Sequence, residues 1–362
     1  MGLLQSIEKK LWPDHSFIID SVTKELLSRH RIGHLDVGAA DGLDERWQMI
    51  SDYCYFASIE PDARSEVTES GAVIQAAVSD TPGTRSLFLT DFPPASSLHE
   101  INAEVMSAYA NWPQHRHVST VEVAVETIDA VVRELPAAPV FLKTDAEDHD
   151  YFVLLGAEKA IRHSLLGIQI ETSFQARHVD GATFSRIFDH LTARGFDLHV
   201  LARESWLRGN LAWGTNSTPQ LVWADAVYFL RKSVFLQRLA GKLVAEGNVL
   251  LVHFIVILLA YGAHDYALEI LSAVRGVEHN PDIVLMLESL VNRNIEGPVV
   301  GITRAFAGVL AGFVVLVVSL LTWKKREGGL AFFHRRVRQF AHKVLVSSSR
   351  GGYLRASIPD YF

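Results

Sequence analysis

The sequence predicts an α/β protein, a doubly wound parallel sheet followed by a helical region, and three observations predict it. The run His34-Leu-Asp-Val-Gly-Ala-Ala-Asp-Gly42 reads as a buried strand emptying through a glycine-bounded turn into a helix N-terminus. About twenty residues on, Tyr55-Phe-Ala-Ser-Ile-Glu60 is a second apolar strand ending in a carboxylate. Val140-Phe-Leu-Lys-Thr-Asp145 and Leu166-Gly-Ile-Gln-Ile-Glu171 repeat that pattern with a helical segment between them. In such a sheet the carboxyl ends of neighbouring strands meet at one crevice.

Taken in order, residues 4–11 and 16–28 read as helices, the second with Ile18, Ile19, Val22, Leu26 and Leu27 on one face. After Glu60, Pro61 breaks the strand. Ala72-Val-Ile-Gln-Ala-Ala-Val78 is a third strand, and after the Pro82-Gly83 turn Ser86-Leu-Phe-Leu-Thr90 is a fourth. The Pro- and Ser-rich stretch Asp91-Phe-Pro-Pro-Ala-Ser-Ser-Leu98 is a loop, either plain surface or a wall of an acceptor pocket. A strand over 120–125 and a helix over 128–135 lead to the strand ending at Asp145, and a helix over 151–162 follows it. Strands around 196–201 and 220–230 complete the sheet.

The chain has 362 residues, 49% hydrophobic and 21% charged, which suits one catalytic domain with an appendage. Its one cysteine, Cys54, allows neither an internal disulfide nor a thiolate cluster, and its place in a strand makes it a buried structural thiol in a reducing compartment. From Lys324 onward nine Lys and Arg face two acids, a net +7 that leaves -14 on residues 1–323. No nucleic-acid partner is expected of so acidic a body. The polar first ten residues give no signal peptide.

Glu60 is placed to accept from both hydroxyls of a ribose whose nucleoside lies over Gly38. A dinucleotide fingerprint needs G-x-G-x-x-G, whereas Ala39, Ala40 and Asp41 separate Gly38 from Gly42, so nothing is arranged to hold a diphosphate. Carboxylates at Asp36 and Asp41 suit a cofactor with an amino group and a sulfonium, which is S-adenosylmethionine. The bland alternative is an ordinary strand-turn-helix. The acids and histidine of Asp145-Ala-Glu147-Asp148-His149-Asp150 form the second half of the site, against the alternative of a solvated turn with helix-capping carboxylates.

Asp36-Val-Gly-Ala-Ala-Asp-Gly, Ile59-Glu-Pro61, Ala77-Val-Ser-Asp80, Glu126-Thr-Ile-Asp129, Leu142-Lys-Thr-Asp-Ala-Glu147, Leu155-Gly-Ala157 and Gln169-Ile-Glu171 together resemble the FkbM family of S-adenosylmethionine-dependent methyltransferases, over roughly residues 30–232. The resemblance implies a class I methyltransferase (Rossmann-like) fold and methylation of a hydroxyl oxygen, often on a sugar or secondary metabolite. It implies that Asp36, Gly38 and Glu60 bind the cofactor, that Asp80 lies near the adenine, and that Asp145 and Glu147 line the reaction centre. Ala39, Asp41 and Gly42 complete the cofactor turn. The family usually has Asn where Ala40 stands and Gly where Asp148 stands, so a polar contact is lost at one end of the site and a charge enters at the other.

Methyl transfer from a sulfonium requires alignment and a base. His149 is expected as that base on its ordinary pKa, with Asp145 as the alternative if its pKa is raised. Asp145, Glu147 and Asp129 could together hold a divalent cation, though no metal ligands are assigned.

Beyond residue 232 the pattern becomes helical: 250–262 and 266–274 read as a hairpin, and 282–291 closes it. Residues 261–268 loosely resemble one tetratricopeptide turn, without a second copy. Residues 305–323 carry no charge and would span about 28 Å as a helix, and Trp323-Lys-Lys-Arg326 marks a membrane exit. A cytosolic enzyme and a basic tail on the same side require the chain to return, so either 249–263 is a first membrane span, or it is a core helix and the last segment lies in or re-enters the interface. The expected organisation is thus a methyltransferase domain over 1–232, a helical region over 233–304, a transmembrane helix over 305–323 and a basic tail over 324–362. The expected function is a membrane-associated O-methyltransferase facing the cytoplasm and acting on a glycan or lipid-linked saccharide. The rivals are a catalytically inactive membrane scaffold and a methyltransferase of small-molecule hydroxyls.

Overall fold

The first apolar run is strand β1 (Ile32–Val37), buried along its whole length. It pairs in parallel with β2 (Cys54–Ile59) on one side and β7 (Phe141–Thr144) on the other. Strands covered on both faces need continuous apolar runs, which is how these read in the sequence. In this computed structural model residues 18–296 are described, apart from 66, 68–70, 110–111, 210–216 and 276–280.

With β3 (Gly71–Ile74), β8 (Gly167–Ser173), β9 (Phe196–Trp206) and β10 (Gln220–Leu230), the central sheet runs β3-β2-β1-β7-β8-β10-β9. Only β10 is antiparallel to its neighbours. The chain steps outward from β1 to β3, then returns to β7 on the other side of β1, so the order reverses between β1 and β7 and the crevice lies at their carboxyl ends. A small sheet, β4-β6-β5, is inserted before that return, from β4 (Ala77–Val78), β5 (Gly83–Thr90) and β6 (His117–Glu126). This is an α/β fold with a mostly parallel sheet, consistent with a methyltransferase domain.

Two elements that read as continuous in the sequence are divided. The run 72–78 is not one strand: it leaves the central sheet after Ile74, turns at Gln75-Ala76, and re-forms as β4 against β6. The helix expected over 151–162 is two, Asp150–Gly156 and Glu158–His163, broken at Ala157. Gly156 backs onto Ser79, whose carbonyl oxygen would lie 2.0 Å from an added Cβ. Asp129 accepts from the Lys159 and Ala160 amides, so a carboxylate from another helix starts the second segment.

The helices after β10 pack on the sheet in the same compact unit, which comprises Phe17–Asn210 and Pro219–Val291. In Val244–Ala260 every residue from Leu251 to Ala260 is buried. Just beyond it, Tyr261 donates to Gln169 of β8 at 2.8 Å and receives the Trp47 indole N–H at 3.2 Å. Stretch 249–263 is therefore a core helix and the membrane-hairpin alternative falls; the change at residue 232 is one of pattern, not of packing. Helix His264–Val274 pairs with it as expected, and Pro281–Glu296 follows. Among the described residues no helix is long and apolar enough to cross a membrane. The expected helix over 4–11, the span over 305–323 and the basic tail lie outside the described residues.

Candidate active site

The centre of the site is a contact between two strand ends. Gly38 adopts φ 74°, ψ 51°, a left-handed conformation that suits glycine, and a Cβ there would lie 1.9 Å from the Asp145 carbonyl oxygen. The Gly38 amide donates to Ile59 at 2.9 Å and the Asp145 amide to Val37 at 3.0 Å, so the ends of β1, β2 and β7 are tied together. A single turn, Ala39–Asp41, with Ala39 fully buried, carries the chain to Gly42, which is also at positive φ.

Around this turn lies an open cleft with about 490 Å³ of empty space. Gly38, Ala40, Glu60, Asp145 and His149 line it on the sheet side; Ala77, Val78, Leu87, Pro93, Ser96 and Ser97 come from the inserted sheet and its loop. The 91–98 loop is thus a wall of the site. Arg64 and Ser96 both bond Asp62, and Arg64 also reaches the Thr90 carbonyl, which ties that loop to the end of β2. Glu60 itself is 8% exposed. Burial pushes its carboxyl up to about 7, against a 2.8 Å hydrogen bond from the Asp62 amide.

A carboxylate at the end of β2, a glycine turn at the end of β1 and one acid, Asp145, at the end of β7 thus surround one cleft. Residues 36–198 match the family model described as Methyltransferase FkbM domain. This segment is similar to FkbM methyltransferase domains. A crystal structure of Methyltransferase FkbM from Methylobacillus flagellatus is similar at 14% identity, covering 55% of this chain and 43% of that one, with a TM-score of 0.30. The chain therefore spans under half the length of that neighbour. No curated protein matches the sequence.

Within this segment the expected site residues divide. Gly38, Glu60, Asp145 and His149 share the cleft. Asp36 does not line it: the fully buried carboxylate takes Lys143 Nζ at 3.0 Å, from the neighbouring position on β7. Burial opposes the lysine charge, but Asp36 and Asp145 outweigh it and hold its pKa above the ordinary range. Asp80 is likewise turned to Arg85 at 2.6 Å and to the Ser79 hydroxyl at 2.9 Å. For Asp41 the backbone turn is described and the side chain is not.

Glu147 does not line the cleft either, because Arg177 draws it away. That guanidinium, with its side chain 2% exposed, reaches Glu147 at 3.2 Å, Asp148 at 2.8 Å, and Glu171. Glu147 and Asp148 both have positive φ, 52° and 68°. Asp148 is fixed there by Arg177, by the Ser173 hydroxyl and by His178 Nδ1 at 3.1 Å. Burial raises the pKa of Glu147 and Glu171 despite Arg177, whereas Asp148, with the most hydrogen bonds, is held below the usual range against its own burial. Oxygens of Asp145, Glu147 and Glu171 come within 4.8 Å of one another, but the guanidinium already sits against two of the three. Asp129, the third expected cation ligand, is occupied as a helix cap.

His149 is 2% exposed, and burial, with His99 adding, pushes its pKa down to about 3. Both of its ring nitrogens are bonded, to His99 and to Ser79. The residues that sequence reasoning missed are Lys143, Arg177, His99 and Ser79. Only Lys143 left a trace, as a charge inside an apolar strand.

Proposed function

We propose that the chain is an S-adenosylmethionine-dependent O-methyltransferase acting on a hydroxyl of a glycan or lipid-linked saccharide. The observation that carries this reading is the composition of the cleft: two carboxylates, Glu60 and Asp145, and neither Lys nor Arg among the residues that line it. Such a wall attracts an amine, a sulfonium and a diol, and repels phosphates. It fits S-adenosylmethionine and does not fit a dinucleotide.

S-adenosylmethionine supplies, when bound, a methyl group already activated on sulfur. The chain's residues do the rest. Glu60 accepts from the ribose hydroxyls, and each bond it accepts favours the ionised form that burial disfavours. Gly38 lets the backbone approach, and Val78, Leu87 and Pro93 offer an apolar wall to the adenine. Asp145 faces the cationic end and, with Ser96 and Ser97, offers hydrogen-bonding partners to a polyol acceptor. The lipid-linked class follows from residues 305–323: with 249–263 a core helix, an uncharged run that lies in or re-enters the membrane interface, followed by Trp323 and three basic residues, would keep enzyme and basic tail on the cytoplasmic side, beside such an acceptor.

Calorimetric titration of the full chain with S-adenosylmethionine, and separately with NAD, tests the cofactor. Saturable heat is expected from the first alone; binding of NAD, or of neither, would overturn the reading. Incubation with a tritiated methyl donor and lipid-linked saccharides should place label in a base-stable ether, and label in a base-labile ester would refute O-alkylation of a hydroxyl.

A further inference from the structure

A second cavity opens at the other end of β1 from the cleft. Leu26 and Leu27 of helix Ser21–Arg29, Ala245, Val249 and Val252 of Val244–Ala260, and Ile283 of Pro281–Glu296 give it an aliphatic wall. Its volume, about 210 Å³, exceeds the roughly 150 Å³ that houses a benzene ring in an engineered protein core. His30, which also lines it, stands two residues before β1 begins at Ile32, whereas Val37 at the far end of β1 lines the cleft. The length of that strand, roughly 20 Å, separates the two. They hold different guests.

The lining selects against charge. No Lys, Arg, Asp or Glu is among the described residues that form it. His253 lines it as a neutral ring: burial outweighs its hydrogen bond and lowers its pKa. Its Nε2, 2.8 Å from the His30 carbonyl oxygen, donates there, because a carbonyl can only accept. An ionic guest would lose its hydration without gaining a counter-ion, whereas an alkyl chain gains by leaving water.

One polar group in the lining is left over. Asn248 is 9% exposed, and its side-chain oxygen is buried without a hydrogen-bond partner. Such an oxygen gives up its hydration with nothing in return. A guest that brings a donor makes good that loss; an ionised carboxylate, which only accepts, does not. The approach is apolar too, since Val22, one turn before Leu26, and Leu243 and Val244, just before Ala245, are exposed.

We propose that this cavity binds a single-chain lipid with a free hydroxyl, its alkyl chain against Leu26, Val249 and Val252 and its hydroxyl donating to Asn248 Oδ1. This second ligand site lies apart from the methyl-transfer cleft and does not depend on the methyltransferase reading. Asn248 sets the specificity: it favours an alcohol over an ether or a carboxylate of the same chain length.

The full chain in bilayer discs, photolabelled with a decanol analogue that carries a diazirine within its chain, tests the site once the labelled peptides are mapped by mass spectrometry. Label is expected on residues 26–30 and 245–253. Unlabelled 1-decanol should compete for it about tenfold better than decyl methyl ether, which has the same chain and no donor. Asn248→Leu should abolish that preference while still taking label. Ala245→Trp, placed at an exposed position of the wall, should cut labelling at least tenfold without moving the midpoint of thermal unfolding. Label confined to other parts of the chain, equal competition by the ether in the unaltered protein, or labelling that survives Ala245→Trp would overturn the proposal.

Discussion

Replacing Glu60 by Gln should make the cofactor-free protein more stable at alkaline pH while weakening its site. Burial holds the Glu60 carboxyl at about 7 against an ordinary value of 4.5. At about 1.4 kcal/mol per unit, keeping it ionised costs the folded state on the order of 3 kcal/mol above pH 7. The sign follows from the raised folded-state value: the group's contribution is fully present below about 4.5 and is lost as pH rises through about 7. Glu60→Gln should therefore match the parent protein near pH 4.5 and exceed it by about 2–3 kcal/mol at pH 8. Its amide oxygen can still accept from the Asp62 amide, so the loop is retained. Affinity for S-adenosylmethionine should fall ten- to a hundredfold, the loss expected when a charged acceptor of hydrogen bonds is neutralised. Urea unfolding of the full chain at pH 4.5, 6.5 and 8, with calorimetry at pH 8, measures both effects. A stability difference independent of pH, or a less stable variant at pH 8, would refute a carboxylate held up by burial at the end of β2.

Arg177→Met should cost about 3–5 kcal/mol, because it leaves Asp148 and Glu171 buried without their cation. The midpoint of thermal unfolding should drop on the order of 10 °C, and an unchanged midpoint would mean that these acids are not held as ions by Arg177. The full chain should sediment with membranes and resist carbonate extraction, whereas a chain ending at Glu296 should stay soluble and bind S-adenosylmethionine. Full-length protein in the soluble fraction without detergent would remove the anchor.

The fold was legible where burial was complete. Strands β1 and β8 are buried along their whole lengths, and the apolar residues at Ile32, Leu35 and Val37 and at Ile168 and Ile170 mark them in the sequence in spite of the buried polar residues between. The errors came where a distant partner decides. Nothing local divides Ala72-Val-Ile-Gln-Ala-Ala-Val78, and the second half becomes β4 only because β6, some forty residues on, offers an edge. The break at Ala157 is made by Asp129 and by the close approach of Gly156 to Ser79, neither of which disturbs the helical period of the sequence. Strand β9 continues to Trp206, past the expected end near residue 201, through residues that are mostly exposed at the sheet edge and so lack an apolar signature. Stretch 249–263 was undecidable by composition, since a run buried on all sides in a core and a short membrane run look alike.

The site was legible as acids and illegible as ion pairs, and that difference bears on whether the protein is an enzyme. Strand-end carboxylates stand out because an apolar run stops at them. Their counter-ion Arg177 lies in Gln175-Ala-Arg-His178, a segment without periodicity, so nothing local assigns it. Read without Arg177, Asp148 in place of the family's usual Gly is an uncompensated charge, and it motivated the inactive scaffold. The structure removes that half of the motive; the other half, Ala40 where the family usually has Asn, still lines the cleft. Asp148 occupies the left-handed conformation that a glycine would supply, one that Asp tolerates better than most residues, and its charge is met by Arg177, Ser173 and His178. A residue that merely damaged the site would leave a buried carboxylate without partners, at a cost of several kcal/mol. A fully partnered one, turned away from the cleft, leaves Glu60, Asp145 and His149 to line it.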